Sequence, residues 1–229
     1  MRLDKFMCKS TALTRTAATQ CIELAEVSVN GQLITDPKFQ VHENNHIIWR
    51  GERLVARASR YIMLHKPLNT LSSNVDGAYP SLLHCIHIDR VEDLHIVGRL
   101  DADTSGLVLL TDDGRWSFEI IRPDKLCPKT YRVTLRDPIA DDVAPRFLAG
   151  IELQNESQLT APATLTIVSP KEVLLTITEG RYHQVKRMFA AVGNRVNGLH
   201  REQIGNLQLD VELGQWRNLT AQEVASFIK

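Results

Sequence analysis

The chain has 229 residues, 43% of them hydrophobic and 24% charged, an ordinary globular composition long enough for two domains. No run approaches the 18 or so apolar residues that a membrane helix needs, the start MRLDKFMCKS has no apolar core of the kind that directs export, and four cysteines without a CxxC pair do not build a disulfide framework. Lys plus Arg equals Asp plus Glu at 27 each, so net charge favours no polyanionic partner; the expectation is a cytoplasmic protein with reduced thiols and no membrane contact.

The charges are unevenly distributed. Residues 1–20 carry Arg2, Lys5, Lys9 and Arg15 against the single acid Asp4, and RYHQVKRMFAAVGNRVNGLHR, residues 181–201, carries five Lys or Arg, two His and no acid. Each island alone is equally well read as a solvated face; two in a neutral chain point to local phosphate contacts. In the first island RLDKFMCKS places Leu3, Phe6 and Met7 at helical spacing, with the basic residues on a separate flank. Thr14 is placed to cap a second helix, in which Ala17, Ala18, Cys21, Ile22 and Ala25 recur at helical spacing. VSVNGQLIT then predicts a hairpin about Asn30-Gly31, and after Ile47-Ile48-Trp49 the aperiodic RGERLVARASR reads as a linker. These elements predict a small αβ domain over residues 1–58.

From Tyr61 onward short strand-like runs outnumber helical ones, so residues 59–229 are expected to form a second, larger domain. Expected strands are YIMLHK, HIVGRL, GLVLLT, TYRVTL, GIELQ, ATLTIVS and EVLLTIT; expected helices are WSFEIIR, DDVAPRFLAG, HQVKRMFAAVG and AQEVASFIK. Several strands follow one another across turns alone, which predicts an α+β fold with a mixed, largely antiparallel sheet flanked by helices.

The chemistry-bearing stretch is HIVGRLDADTSGLVLLTDDG, residues 95–114. Asp101 at a strand end, two residues from Arg99 on the same side, would be kept ionised and suited to nucleophilic or base catalysis; a strand-terminal ion pair beside a turn at Asp103-Thr104-Ser105 is the reading that the spacing alone favours. Asp112-Asp113-Gly114 reads as a turn into a helix whose N-terminus welcomes an acid. Tyr131 opens a strand as a packing residue or as an aromatic face for an unstacked base. Lys186 and Arg187 lie off the buried stripe Val185, Met188, Phe189 and Val192, placed to hold a carboxylate, to contact phosphate or to face solvent; His183 reads first as structural. His84, Cys85, His87 and His95 lack paired metal-ligand spacing, and no Walker or GxGxxG pattern is present, so neither metal nor nucleotide cofactor is expected.

GRLDADTSGLVLLTDDG resembles the catalytic motif of the RNA pseudouridine synthases, and KTY, EGRYHQVKRMF, LHREQIG and LGQWRNLT resemble the remaining motifs of the RsuA-like branch, which acts on ribosomal RNA. RLDKF, Thr14-Arg15 and VSVNG resemble the S4-type RNA-binding domain. The resemblance spans essentially the whole chain in the family's order. It implies Asp101 as the essential aspartate, Arg99 as its pairing arginine, Tyr131 as the tyrosine that stacks on the base and assists at C5, Lys186 as the basic residue beside the aspartate, and Leu199 as a wall of the base pocket. With it, Arg2, Lys5, Lys9, Arg15 and Arg187 become the expected RNA contacts. The implied reaction turns a uridine into pseudouridine after the base is flipped out, without cofactor or metal. The implied partner is ribosomal RNA, most closely small-subunit (16S) rRNA or an assembly particle, bound by a monomer. Two other readings compete: a non-catalytic RNA-binding or ribosome-assembly protein, and glycosidic hydrolysis by Asp101 with Asp103. One position departs from the family, which usually has glycine where Ala25 stands; a left-handed helix end there implies a different cap or strain.

Overall fold

The computed structural model describes residues 1–42 and 44–228, and the chain divides into two compact units, Met1–Ala58 and Ser59–Lys229.

The first unit contains α1 (Leu3–Ser10), α2 (Arg15–Glu23) and an antiparallel sheet in the order β2-β1-β3-β4, with β1 Val27–Val29, β2 Gln32–Ile34, β3 Ile47–Trp49 and β4 Glu52–Arg53. Leu3 and Met7 from α1, Ala18 and Ile22 from α2, and Val27, Val29 and Ile47 from the sheet are buried against one another, which is the apolar stripe closing on the alternate face of the strands. Thr14 caps α2 by accepting from the Ala17 amide at 3.3 Å. The helix ends at Glu23, so Ala25 lies beyond it rather than on its stripe. The amide of Glu26 donates to Cys21 and that of Ala25 to Ile22, a Schellman closure that puts Ala25 at φ +58°, the conformation for which glycine is usual. Asn30 and Gly31, at φ +52° and +84°, make the expected two-residue hairpin turn. Arg50 and Gly51, at +52° and +82°, make a second one, so part of the stretch expected to be linker is the hairpin strand β4.

The second unit is a nine-stranded mixed sheet. The path runs β13-β5-β7-β11-β8-β10-β9, with β6 added to β7 and β12 to β11. The strands are β5 Tyr61–Lys66, β6 His95–Val97, β7 Ser105–Thr111, β8 Lys129–Leu135, β9 Thr164–Ser169, β10 Glu172–Ile177, β11 Val196–Ile204, β12 Leu207–Gln208 and β13 Trp216–Asn218. Helices α3 (Gly114–Ile121), α4 (Val143–Ala149), α5 (Gln184–Ala191) and α6 (Ala221–Ala225) flank it. Among the described strands the β7–β11 ladder is parallel and the others are antiparallel. β5 and β7 are apolar without alternation because both their faces are covered: Ile62, Leu64, Val108 and Leu110 enter one core with Val133, Leu175 and Phe189, while Met63, Leu107 and Leu109 enter another with Trp116 and Ile120. Among the described residues no helix is long and apolar enough to cross a membrane.

Three expectations are corrected. The run HIVGRL stops being a strand at Val97, because Gly98 turns at φ +75°. GIELQ is not a strand; the Thr160 amide donates to the Ile151 carbonyl and Thr160 Oγ1 accepts from the Ile151 amide, which folds 151–160 into a loop. Residues 196–204, read only as part of a basic island, form the long strand β11 at the centre of the sheet.

Candidate active site

Asp101 lies on the connection 98–104 between β6 and β7, and the carbonyls of that connection are anchored almost one by one. Arg201 Nη2 donates to Gly98 O at 3.0 Å, Ser72 Oγ to Leu100 O at 2.7 Å, the Thr104 amide to Asp101 O at 3.1 Å, the Asn69 amide to Ala102 O at 2.8 Å, and Lys66 Nζ to Thr104 O at 2.8 Å. Lys66 and Arg201 are almost wholly buried, at 0% and 1% exposure, and Arg201 Nε also holds Leu107 O at 2.8 Å where β7 begins. Charge-assisted bonds from buried cations are the strong class, so the backbone carrying Asp101 is preorganised. Gly106 makes the second half of this arrangement possible. It sits at φ +115° opposite Arg201, and a Cβ there would stand 2.3 Å from the Arg201 carbonyl oxygen.

The Asp101 carboxylate is partly exposed and faces α5. Lys186 Nζ donates to its Oδ2 at 3.0 Å, and His183 Nε2 stands 3.4 Å from the same oxygen. Lys186 also donates to Asp103 at 2.6 Å. Burial alone would lower the pKa of the Lys186 ammonium, but its bonds to the two carboxylates outweigh that and raise it; the Lys186 bond in turn holds the Asp103 carboxyl below the usual range. Two carboxylates share one ammonium on a single side of the site, so they do not bracket a substrate as paired hydrolytic acids do. His183 reaches Asp101 from the residue just before α5, where its backbone is left-handed at φ +48°.

A cavity of about 540 Å³ opens in front of this group. Asp101, Lys186, Tyr131 and Leu199 all line it, together with Arg99, His183 and Arg201. Tyr131 is 7% exposed on β8, its ring faces Arg201 at 6.0 Å from guanidinium carbon to ring centre, and its hydroxyl accepts from Arg201 Nη1 at 3.5 Å. Leu199, on β11, is 9% exposed. The lining thus joins apolar side chains such as Leu199 and two tyrosines to an acid held by Lys186.

The structure does not bring every expected residue into the expected contact. Arg99 lines the cavity but is exposed, and it is not the group on Asp101; the Lys186 ammonium and the His183 imidazole are, because Arg99 falls on a loop after Gly98 and not on a strand face shared with Asp101. Arg187 is not a free phosphate ligand. It pairs with Glu156 and donates to the carbonyls of Gln154 at 2.7 Å and Tyr182 at 3.2 Å, so it fastens the loop before β9 to the start of α5. Arg181 pairs with the same Glu156 and with Glu179. The second basic island is therefore largely neutralised internally, with Arg201 buried and Arg181, Lys186 and Arg187 paired. Arg201 and Lys66 belong to the site although sequence reasoning gave neither a site role, His183 belongs to it although it was read first as structural, and Asp103 enters it as a second acceptor of Lys186 and not as half of a hydrolytic pair; the one available signal for Lys66 was a lysine at the end of a strand-like run.

In the first unit Asp4 is 1% exposed and binds both Arg2, at 2.7 Å, and Arg15, at 3.2 Å. The two guanidiniums keep 37% and 67% exposure, and Lys5 is half-buried. Lys9 departs from the expected exposed flank: it is 5% exposed. His84 pairs with Asp76 at 2.9 Å and His95 with Ser117 at 2.8 Å, and among the described residues no cluster of three His, Cys, Asp or Glu is arranged to hold a metal.

Comparison with known proteins gives concordant matches over both units. The family described as RNA pseudouridylate synthase matches residues 60–191, and the S4 domain matches residues 1–47. The ribosomal small subunit pseudouridine synthase A of Vibrio cholerae is 49% identical over 231 aligned positions, covering 100% of each chain, and that of Escherichia coli K12 is 46% identical with the same coverage. A crystal structure titled as a pseudouridylate synthase superimposes with a TM-score of 0.74 at 43% identity, covering 100% of each chain.

Proposed function

Because the chain belongs to the RNA pseudouridylate synthase family and carries an S4 domain, we propose that it converts one uridine of small-subunit ribosomal RNA to pseudouridine, with Asp101 as the catalytic carboxylate. The single observation that carries the assignment to Asp101 is its place in the cavity, on an anchored loop and in contact with Lys186 and His183.

The chemistry is an isomerisation. The N1–C1′ bond breaks, the uracil turns, a C5–C1′ bond forms, the proton on C5 leaves, and N1 takes up a proton. Nothing is gained or lost overall, so no redox partner or group donor is required. A carboxylate held in place by Lys186 acts as nucleophile or base in this sequence, and the fixed backbone spares the transition state the reorganisation that a mobile acid would need. Tyr131 offers its ring to the freed base, and Leu199 offers an apolar wall that admits a flat pyrimidine. Reaching the glycosidic bond requires unstacking the uridine, at about a few kcal/mol, and cationic contacts to flanking phosphates offset this. Arg99, exposed on the cavity wall, supplies one such contact in this reading, and Arg2, Lys5 and Arg15 supply others from the S4 domain.

The substrate assignment is tested by incubating the purified full chain with naked 16S rRNA, naked 23S rRNA and small-subunit assembly particles, then mapping pseudouridine at nucleotide resolution. One new site confined to 16S rRNA is expected, on either naked RNA or particles. Modification only of 23S rRNA, or of none of the three, contradicts the reading.

A further inference from the structure

Tyr182 combines two properties that rarely coincide: it lines the cavity and it is 74% exposed. Its ring lies parallel to that of His183, with centroids 3.8 Å apart and an interplanar angle of 21°, and His183 in turn touches Asp101. One face of the tyrosine is thereby covered by an imidazole tied to the catalytic acid, while most of the rest of the side chain meets solvent.

The ring is presented on a rigid support. The Tyr182 carbonyl accepts from Arg187, the preceding Arg181 is bound to Glu156 and Glu179 and to the carbonyls of Gln158 and Leu159, and the following His183 is locked in a left-handed conformation at φ +48°. A left-handed non-glycine residue persists only where its surroundings over-determine it. The strain and the ion pairs together fix an exposed aromatic plane at the cavity rim, so little entropy remains to be lost when something stacks on it.

The cavity holds two aromatic positions at different depths: Tyr131 at 7% exposure within it and Tyr182 at 74% on the rim. Extruding a uridine into the deep position strips its neighbour in the strand of a stacking partner. Single-stranded RNA recognition characteristically meets such a face with an aromatic side chain. We propose that Tyr182 is the stacking platform for the base of the nucleotide adjacent to the target uridine, and that it holds the strand in the opened form while the target occupies the cavity. This rests on reading the cavity as a uridine site, and it adds a residue that contacts RNA without touching the reacting atoms.

The test uses the full chain and synthetic 16S rRNA fragments containing the mapped uridine, intact or with a single abasic nucleotide on either side of it. Tyr182→Ala raises the RNA concentration for half-maximal single-turnover rate about tenfold on intact RNA, within the range that base–aromatic stacking gives, and Tyr182→Phe stays within about twofold of wild type. Removing the base on one side of the target costs the wild type about the same tenfold and costs the Ala variant little more, so the two losses fail to add. A 2-aminopurine placed at that position is quenched on binding wild type and not on binding the Ala variant. Losses that add at both flanking positions, or an Ala variant with wild-type affinity, overturn the platform while leaving pseudouridine formation intact. Absence of pseudouridine with the wild type overturns the platform together with the reading of the cavity.

Discussion

Lys66 illustrates at the scale of one residue how the site is stabilised and at what cost. It has no exposed surface, and its ammonium donates to Thr104 O and to Pro67 O at 3.0 Å. Burial pushes its pKa down to about 8 despite the opposing pull of Asp101 and Asp103. The folded value lies below the ordinary 10.5, so between about pH 8 and 10.5 the unfolded chain binds more protons at this residue and stability rises with pH; below pH 8 the cost of the buried charge is borne in full. Chemical denaturation of wild type and Lys66→Met across pH 7 to 10 is therefore expected to show the wild type gaining on the variant as pH rises. A difference independent of pH contradicts the buried ammonium. The sequence made Asp101, Tyr131, Lys186 and Leu199 candidates, and the structure brings these four to one cavity. It could not reveal Lys66 or Arg201 as anchors, because their partners are backbone carbonyls distant in sequence, Thr104 and Gly98, and a carbonyl leaves no trace in the residue code. Asp103, read as a turn residue, shares the Lys186 ammonium with Asp101 for the same reason: spacing within a loop does not tell which helix will face it.

At the scale of the element, the helix end at Ala25 departs from the family pattern, yet the Schellman hydrogen bonds of α2 are both made. The chain thus keeps the left-handed closure and accepts the Cβ clash, which costs roughly 1 kcal/mol relative to glycine. Ala25→Gly is expected to stabilise the first unit by about 1 kcal/mol less the entropy that glycine adds to the unfolded chain, read as a higher midpoint in urea. An unchanged or lower midpoint contradicts the strain. Elements with a plain apolar code were legible: β5, β7, β8, β9 and β10 coincide with expected runs, and Thr14 and Asp113 cap the helices they precede. β11 was not legible, because six of its nine positions hold Asn197, Gly198, His200, Arg201, Glu202 and Gln203, and only Val196, Leu199 and Ile204 are left of the apolar code of a central strand. The apparent strand GIELQ failed for the opposite reason, since Gly150 at φ +89° and the Ile151–Thr160 bonds close it into a loop.

At the scale of the whole molecule, a net charge of zero conceals a division of labour. Cations of the second basic island, expected to make local phosphate contacts, are mostly used internally: Arg181 and Arg187 on Glu156, Lys186 on Asp101 and Asp103, and Arg201 on carbonyls. Arg2 and Arg15 in the first unit and Arg99 and Arg195 in the second are among the cations that keep exposure, and in the proposed function such groups meet phosphate. Composition and motif order thus reported the kind of partner, while the folding of the second island onto its own acids lay beyond them, because Glu156 is 25 residues from Arg181 in the chain. In the proposed reaction RNA binding and bond-making fall to different groups, and Asp101 is the one carboxylate the chemistry requires. Single-turnover pseudouridine formation on 16S rRNA, measured beside RNA affinity for wild type and Asp101→Asn, tests it most directly. The variant is expected to bind RNA within about threefold of wild type and to form no detectable pseudouridine; an Asn variant that still forms pseudouridine at a comparable rate overturns the role of Asp101.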